Sequence, residues 1–73
     1  MENREYIEYK IYINGKKMPI IEEQIIQGRY TLETRLNEIK NTGVFEKQEP
    51  SSAVWYPPQR IVKVEYKHIN GFK

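Results

Sequence analysis

Tyr6-Ile7-Glu8-Tyr9-Lys10-Ile11-Tyr12-Ile13-Asn14-Gly15-Lys16-Lys17-Met18-Pro19-Ile20 is the stretch that decides the fold. From Glu5 to Ile13 the residues alternate, with Ile7, Tyr9, Ile11 and Ile13 on one side and Tyr6, Glu8, Lys10 and Tyr12 on the other, which is the period of a half-buried strand. Asn14-Gly15 follows at once, and a type I′ turn needs positive φ at both central positions, so Asn-Gly is a strong hairpin signal. A two-residue loop sets Ile13 against Lys16, Tyr12 against Lys17, Ile11 against Met18 and Tyr9 against Ile20, with the last two pairs on the apolar face. Pro19 lacks an amide donor, which makes the return strand a short edge.

Working outward, Leu32, Leu36 and Ile39 recur at helical spacing. Thr31 is placed to cap the start, Lys40 sits in the last turn and Gly43 can take the left-handed conformation beyond the end. Between Ile20 and Gly28, Ile-Ile-Glu-Glu-Gln-Ile-Ile fits a helical turn, a second extended piece or a helix broken at Gly28; helix is the reading adopted. The polar run 44–52, ending in Glu49-Pro50-Ser51-Ser52, has the composition of an exposed loop. Ala53–Tyr56 suits a short strand, and after Pro57-Pro58 the alternation resumes from Ile61 to Tyr66.

The expected fold is α+β: a single domain over 1–73, with tails at 1–4 and 70–73. Its antiparallel-type three-stranded sheet follows a β-β-α-β order, 2-1-3 across the sheet, with one helix on the apolar face. The opposite face then shows Tyr6, Glu8, Lys10 and Tyr12 beside Ile61, Lys63, Glu65, Lys67 and Ile69. That mixture of aromatic and charged groups, Tyr6, Tyr12 and Lys63 among them, is a candidate interaction face.

Seventy-three residues without cysteine support only a thin core, with no disulfide or cysteine-based zinc site to reinforce it. A shared subunit interface is the remaining common remedy, so a homo-oligomer is expected. No apolar run approaches the roughly 20 residues of a membrane span, and Met1-Glu2-Asn3-Arg4-Glu5 lacks a signal-peptide core, which points to the cytoplasm. A net charge of +2, with twelve Lys and Arg dispersed among ten Glu, lacks the basic block of a dedicated nucleic-acid binder.

Catalytic equipment is sparse. His68 is the sole histidine, no Asp occurs, and Ser51 and Ser52 sit in a polar loop without a nucleophile elbow, so neither a metal site nor a hydrolase triad can be assembled from known patterns. Four glycines stand singly, which removes a phosphate-cradling loop. The chain is therefore read as non-enzymatic, with no cofactor. Binding chemistry falls to aromatic planes and guanidinium forks: Trp55, Tyr56 and Arg60 around the rigid Pro57-Pro58 pair, with Arg29, Tyr30 and Arg35. Trp55 either closes the end of the core or stands out as a contact residue.

The Ile13-Asn14-Gly15-Lys16 hairpin, the helix Leu32-Glu33-Thr34-Arg35-Leu36-Asn37-Glu38-Ile39-Lys40 and the closing Tyr56-Pro57-Pro58-Gln59-Arg60-Ile61-Val62-Lys63-Val64-Glu65 together resemble small accessory proteins of bacteriophages of low-GC Gram-positive bacteria. Such a resemblance implies an anti-defence role in the host cytoplasm, either inhibiting a host protein or sequestering a small nucleotide signal as an oligomer. The alternative is a nucleic-acid-associated regulatory protein that sets Lys16, Lys17, Arg29, Lys63 and Lys67 on phosphates.

Overall fold

A computed structural model describes residues 3–72. In chain order these form β1 (Asn3–Ile13), β2 (Ile20–Ile25), α1 (Thr31–Thr42), β3 (Val44–Gln48), β4 (Ser52–Tyr56), a 3₁₀ turn at Pro58–Arg60 and β5 (Ile61–Phe72). Strands β2 and β5 both pair antiparallel with β1, in the order β2-β1-β5, while β3 and β4 form a separate hairpin. The α+β class and the placing of the last strand beside the first are as expected. The hairpin is an addition that the simple β-β-α-β scheme lacks.

Ile7, Tyr9, Ile11 and Ile13 of β1 are buried together with Ile20, Ile39 and Val44, so the alternating strand is the spine of the core. Leu32 and Leu36 pack onto this cluster from α1, and Tyr56, Ile61 and Val64 close it from the far side. The outer face carries Tyr6, Glu8, Lys10 and Tyr12 opposite Ile69, Lys67, Glu65 and Lys63.

Four expectations need correction. First, Ile11 lies opposite Ile20 and Tyr9 opposite Glu22, so the β1–β2 register is displaced by two residues from that of a two-residue loop. A tight turn forms, with the Lys16 amide donating to the Ile13 carbonyl at 3.1 Å, but it is not the expected type I′: Gly15 has φ 90° while Asn14 does not take a positive φ. It is tied to the 3₁₀ turn instead of a continuing ladder: the Asn14 amide donates to the Arg60 carbonyl at 2.8 Å, and Arg60 Nη2 donates to the Asn14 carbonyl at 2.7 Å. A shift of two preserves the faces, and β-branched Ile20 replaces Met18 against Ile11.

Second, 20–28 is not helical: Ile20–Ile25 is a strand. The doubled isoleucines satisfy either period. Extended backbone wins because Ile20 enters the core while Glu22 and Gln24 on the same side each meet a partner, Arg35 and Tyr9 Oη respectively. Third, 44–52 is no open loop but β3, a turn containing the cis Glu49–Pro50 bond, and the start of β4. Val44 and Tyr56 reach the core while Glu46 and Val54 on the same face are only half-buried, so the polar composition reflects a hairpin with one wet side. Fourth, the ends are not tails where described: Asn3 and Arg4 pair with Phe72 and Gly71, while residues 1, 2 and 73 of that expectation lie outside the described residues.

A smaller correction concerns β5. A bulge pairs Tyr12 with Lys63 but Ile13 with Ile61, so Val62 is the extra residue and Ile61 turns to the core instead of the outer face. At the helix start, Tyr30 and not Thr31 occupies the cap position. Thr31 Oγ1 instead accepts from the Gln27 amide and donates to the Gly28 carbonyl, each at 3.0 Å. Gly43 has the anticipated positive φ, 80°, with an extended ψ of −161°, and its amide donates to the Ile39 carbonyl at 3.0 Å. A Cβ there would fall on the Tyr56 carbonyl oxygen, so only glycine lets the chain leave the helix beneath the returning hairpin.

Candidate functional site

The β3–β4 ladder sets Val44 opposite Tyr56 and Phe45 opposite Trp55. Because strand faces alternate, burying the first pair turns the second pair to solvent: Phe45 is 67% exposed and Trp55 52%. Trp55 Nε1 donates to the Thr42 carbonyl at 2.8 Å, one of the terminal helix carbonyls that has no intrahelical donor. The indole is thereby fixed in orientation while its surface stays open. Of the two roles open to Trp55, it holds the exposed one, with its N–H closing the helix end.

Phe45 also flanks an open groove of about 430 Å³ whose other walls include Pro19, Ile21, Glu22 and Lys47. Exposed aromatic and aliphatic surface thus continues from Trp55 across Phe45 to Ile21. Beneath it, Glu46 accepts from Tyr56 Oη at 3.3 Å and meets Lys16 Nζ at 3.4 Å, bracing the hairpin against the β1–β2 connection.

The other residues singled out from sequence are dispersed. Tyr56 is half-buried beneath the Arg60 guanidinium, which lies 5.4 Å from its ring centroid. Arg60 is thus committed to Tyr56 and to the Asn14 carbonyl. Arg35 makes a two-pronged contact with Glu22, Nε at 2.5 Å and Nη2 at 2.6 Å, and a further one with Glu38 at 3.2 Å. Hydrogen bonding to Glu22 raises the Arg35 pKa against the opposing effect of burial. This pair fastens α1 to β2.

Arg29 and Tyr30 stand in the turn before α1, the guanidinium 5.8 Å from the ring centroid, beside a second open groove that includes Gln24, Gln27 and Thr34. The twelve residues of α1 separate them from Trp55 by about 16–18 Å. They belong to a different surface.

Tyr6, Tyr12 and Lys63 share the outer sheet face. Tyr12 Oη donates to Glu65 Oε1 at 2.9 Å, Lys63 Nζ lies 4.8 Å from the Tyr12 ring centroid and 3.4 Å from Glu65 Oε2, and Lys67 Nζ is 3.7 Å from Glu8. The Tyr12 hydrogen bond, then Lys63, hold the Glu65 carboxyl below its usual pKa, and the same bond raises that of Tyr12. Charges on this face are largely matched within the face.

Phe45 is the exposed aromatic residue that sequence reading missed. Its signal was symmetry: counting outward on both sides of Pro50 pairs Phe45 with Trp55 and Val44 with Tyr56. Among the described residues no group of three or more metal-ligating side chains converges, and no helix is long and apolar enough to cross a membrane. No protein-family model, curated protein or solved structure matches the chain.

Proposed function

We propose that this chain is a non-enzymatic binding module that grips a protein partner through the Phe45–Trp55 face of its hairpin and the adjoining groove at Pro19 and Ile21. The observation that carries the reading is the pair of opposed, exposed aromatic rings with the indole N–H already bonded to Thr42. Aromatic side chains with restrained rotamers lose little entropy on contact and are enriched among interface hot spots.

A protein partner suits this surface better than a free nucleotide. Small ligands are held in concave sites that enclose most of their surface, whereas Phe45 and Trp55 project outward and the groove beside them is open. Arg35 and Arg60, two guanidinium forks that the sequence offered for a phosphate, are engaged within the fold. The lysines of the outer face alternate with glutamates, which does not favour tracking a phosphate backbone. The resemblance to phage accessory proteins supports a host protein as the partner, with inhibition by occupancy.

The test captures partners from an extract of a low-GC Gram-positive bacterium on the immobilised chain, then titrates the purified partner against native, F45S/W55S and R29A/Y30A chains. The double hairpin variant should bind at least about 30-fold more weakly, the size of a single lost hot spot, and R29A/Y30A should bind like the native chain. Trp55 is the only tryptophan, so its emission should move to shorter wavelength as the complex forms. Undiminished affinity in a folded F45S/W55S chain would remove the hairpin face from the proposal.

A further inference from the structure

We infer that β5 pairs antiparallel with β5 of a second copy about a twofold axis at Tyr66, giving one continuous sheet in the order β2-β1-β5-β5-β1-β2. This goes beyond the binding reading and uses the opposite edge of the sheet from Ile21.

Three observations converge on that edge. Strand β5 runs twelve residues, and among the described residues its hydrogen-bonded neighbour is β1 alone, so the backbone groups pointing away from β1 form a long open row. Unlike β2, which is half as long and follows Pro19, it contains no proline, and its bulge lies at its start. Secondly, Val62, Tyr66 and His68 are exposed although Tyr66 lies opposite fully buried Tyr9, so beyond Val64 the covered apolar face stops short at this strand. A chain of this size gains from extending its sheet across a partner.

The third observation is the charge order Lys63, Glu65, Lys67, which chooses both partner and register. A twofold perpendicular to the sheet keeps each residue on its own face and allows the axis to pass at any residue. With the axis at Glu65, carboxylate meets carboxylate and Lys63 meets Lys67. At Lys67, ammonium meets ammonium. An axis at Val64 matches Lys63 with Glu65, but it draws the bulge at Val62 into a shorter overlap.

With the axis at Tyr66, Glu65 of each copy faces Lys67 of the other, the two Tyr66 rings adjoin, Val64 faces His68, and the overlap runs from Lys63 to Ile69, clear of the bulge at Val62. Directly opposed charges and aromatic pairs are the contacts that stabilise a ladder, so this edge fits its own copy. The symmetry is that of an isologous dimer.

The experiment measures mass by sedimentation over a dilution series of the full chain. Native protein should be dimeric, and E65K or K67E alone should weaken the dimer about tenfold or more, because each sets like charges opposite one another at both sites. The double exchange E65K/K67E should restore dimerisation, and mixing the two single variants should yield a heterodimer. Since the chain has no cysteine, Y66C should oxidise to a covalent dimer where V64C does not.

Circular dichroism confirms that each variant is folded. A native chain that stays monomeric throughout, a double exchange no better than either single one, or crosslinking at V64C in place of Y66C would overturn the inference. E65K should still bind the partner captured through Phe45 and Trp55, so loss of either surface can be told from loss of the other.

Discussion

Tyr9 and Tyr66 stand opposite one another on the same face of the sheet, yet Tyr9 has no exposed surface and Tyr66 keeps 54% of its own. Sequence distance and strand pairing do not distinguish them; the cover does. A helix about 10 Å across spans about two strands at their usual spacing of about 4.8 Å, and the Arg35–Glu22 pair fixes α1 to β2. The third strand is consequently left open from Tyr66 onward, although Ile61 and Val64 at its start pack against the core. Burial of β1 and exposure of β5 are two results of having one helix to cover three strands.

The largest effect should come from Gly43→Ala, which strikes at the junction between the helical cover and the hairpin. Its Cβ would collide with backbone, the Tyr56 carbonyl, at a φ that an alanine seldom adopts, so no side-chain adjustment relieves it. A loss of about 3 kcal/mol or more is expected, by the combined cost of overpacking and backbone strain. The contrast between the tyrosines should shrink with it, because the cover over Tyr9 loosens. Amide exchange in β1 together with a urea titration would register both changes, and native-like stability in G43A would show that the junction has room to move.

Next in size is the difference between Ile11→Ala and Tyr66→Ala. Ile11 is completely buried at the centre of the core, and its truncation should cost about 2–5 kcal/mol. Tyr66→Ala, measured at concentrations low enough to keep the chain monomeric, should change stability by about 0.5 kcal/mol or less, as for other surface positions. Equal costs in urea unfolding would mean that β5 is covered in solution by something other than a second copy.

Much of this asymmetry was readable from the residues. Alternation in 5–13 and the period of Leu32, Leu36 and Ile39 are strong because each apolar position recurs several times on one face, and they located β1, α1 and the outer sheet face. Ile20-Ile21 and Ile25-Ile26 defeated the same method, since doubled residues fit both periods; the deciding contacts, Gln24 with Tyr9 and Glu22 with Arg35, join distant positions. The hairpin from Val44 was obscured because so few of its side chains turn inward. At the site, Trp55 was legible as an isolated large aromatic, but its cross-strand partner Phe45 was not. Arg35 and Arg60 looked like ligand groups because the sequence does not display that Glu22 and the Asn14 carbonyl occupy them.

The subtlest test of the contrast is Tyr9→Phe set beside Tyr66→Phe across alkaline pH. Tyr9 Oη donates to Gln24 Oε1 at 2.8 Å, and desolvation, reinforced by the Glu22 carboxylate, raises its pKa above the ordinary phenol value. Above about pH 10 the unfolded chain releases this proton while the folded chain retains it, so stability falls as pH climbs from the ordinary value to the raised one. Near neutrality Y9F should cost about 1 kcal/mol for the lost hydrogen bond. At alkaline pH that cost should diminish or reverse, because phenylalanine has no proton to lose. Tyr12, whose pKa is raised by its bond to Glu65, contributes the same slope to every variant and cancels in the comparison. Y66F, which alters an exposed ring, should match native stability in urea within about 0.5 kcal/mol near neutrality. If Y9F tracks the native protein as pH climbs, the Tyr9 phenol is no better shielded from water than its exposed neighbour, and the one-sided cover does not exist.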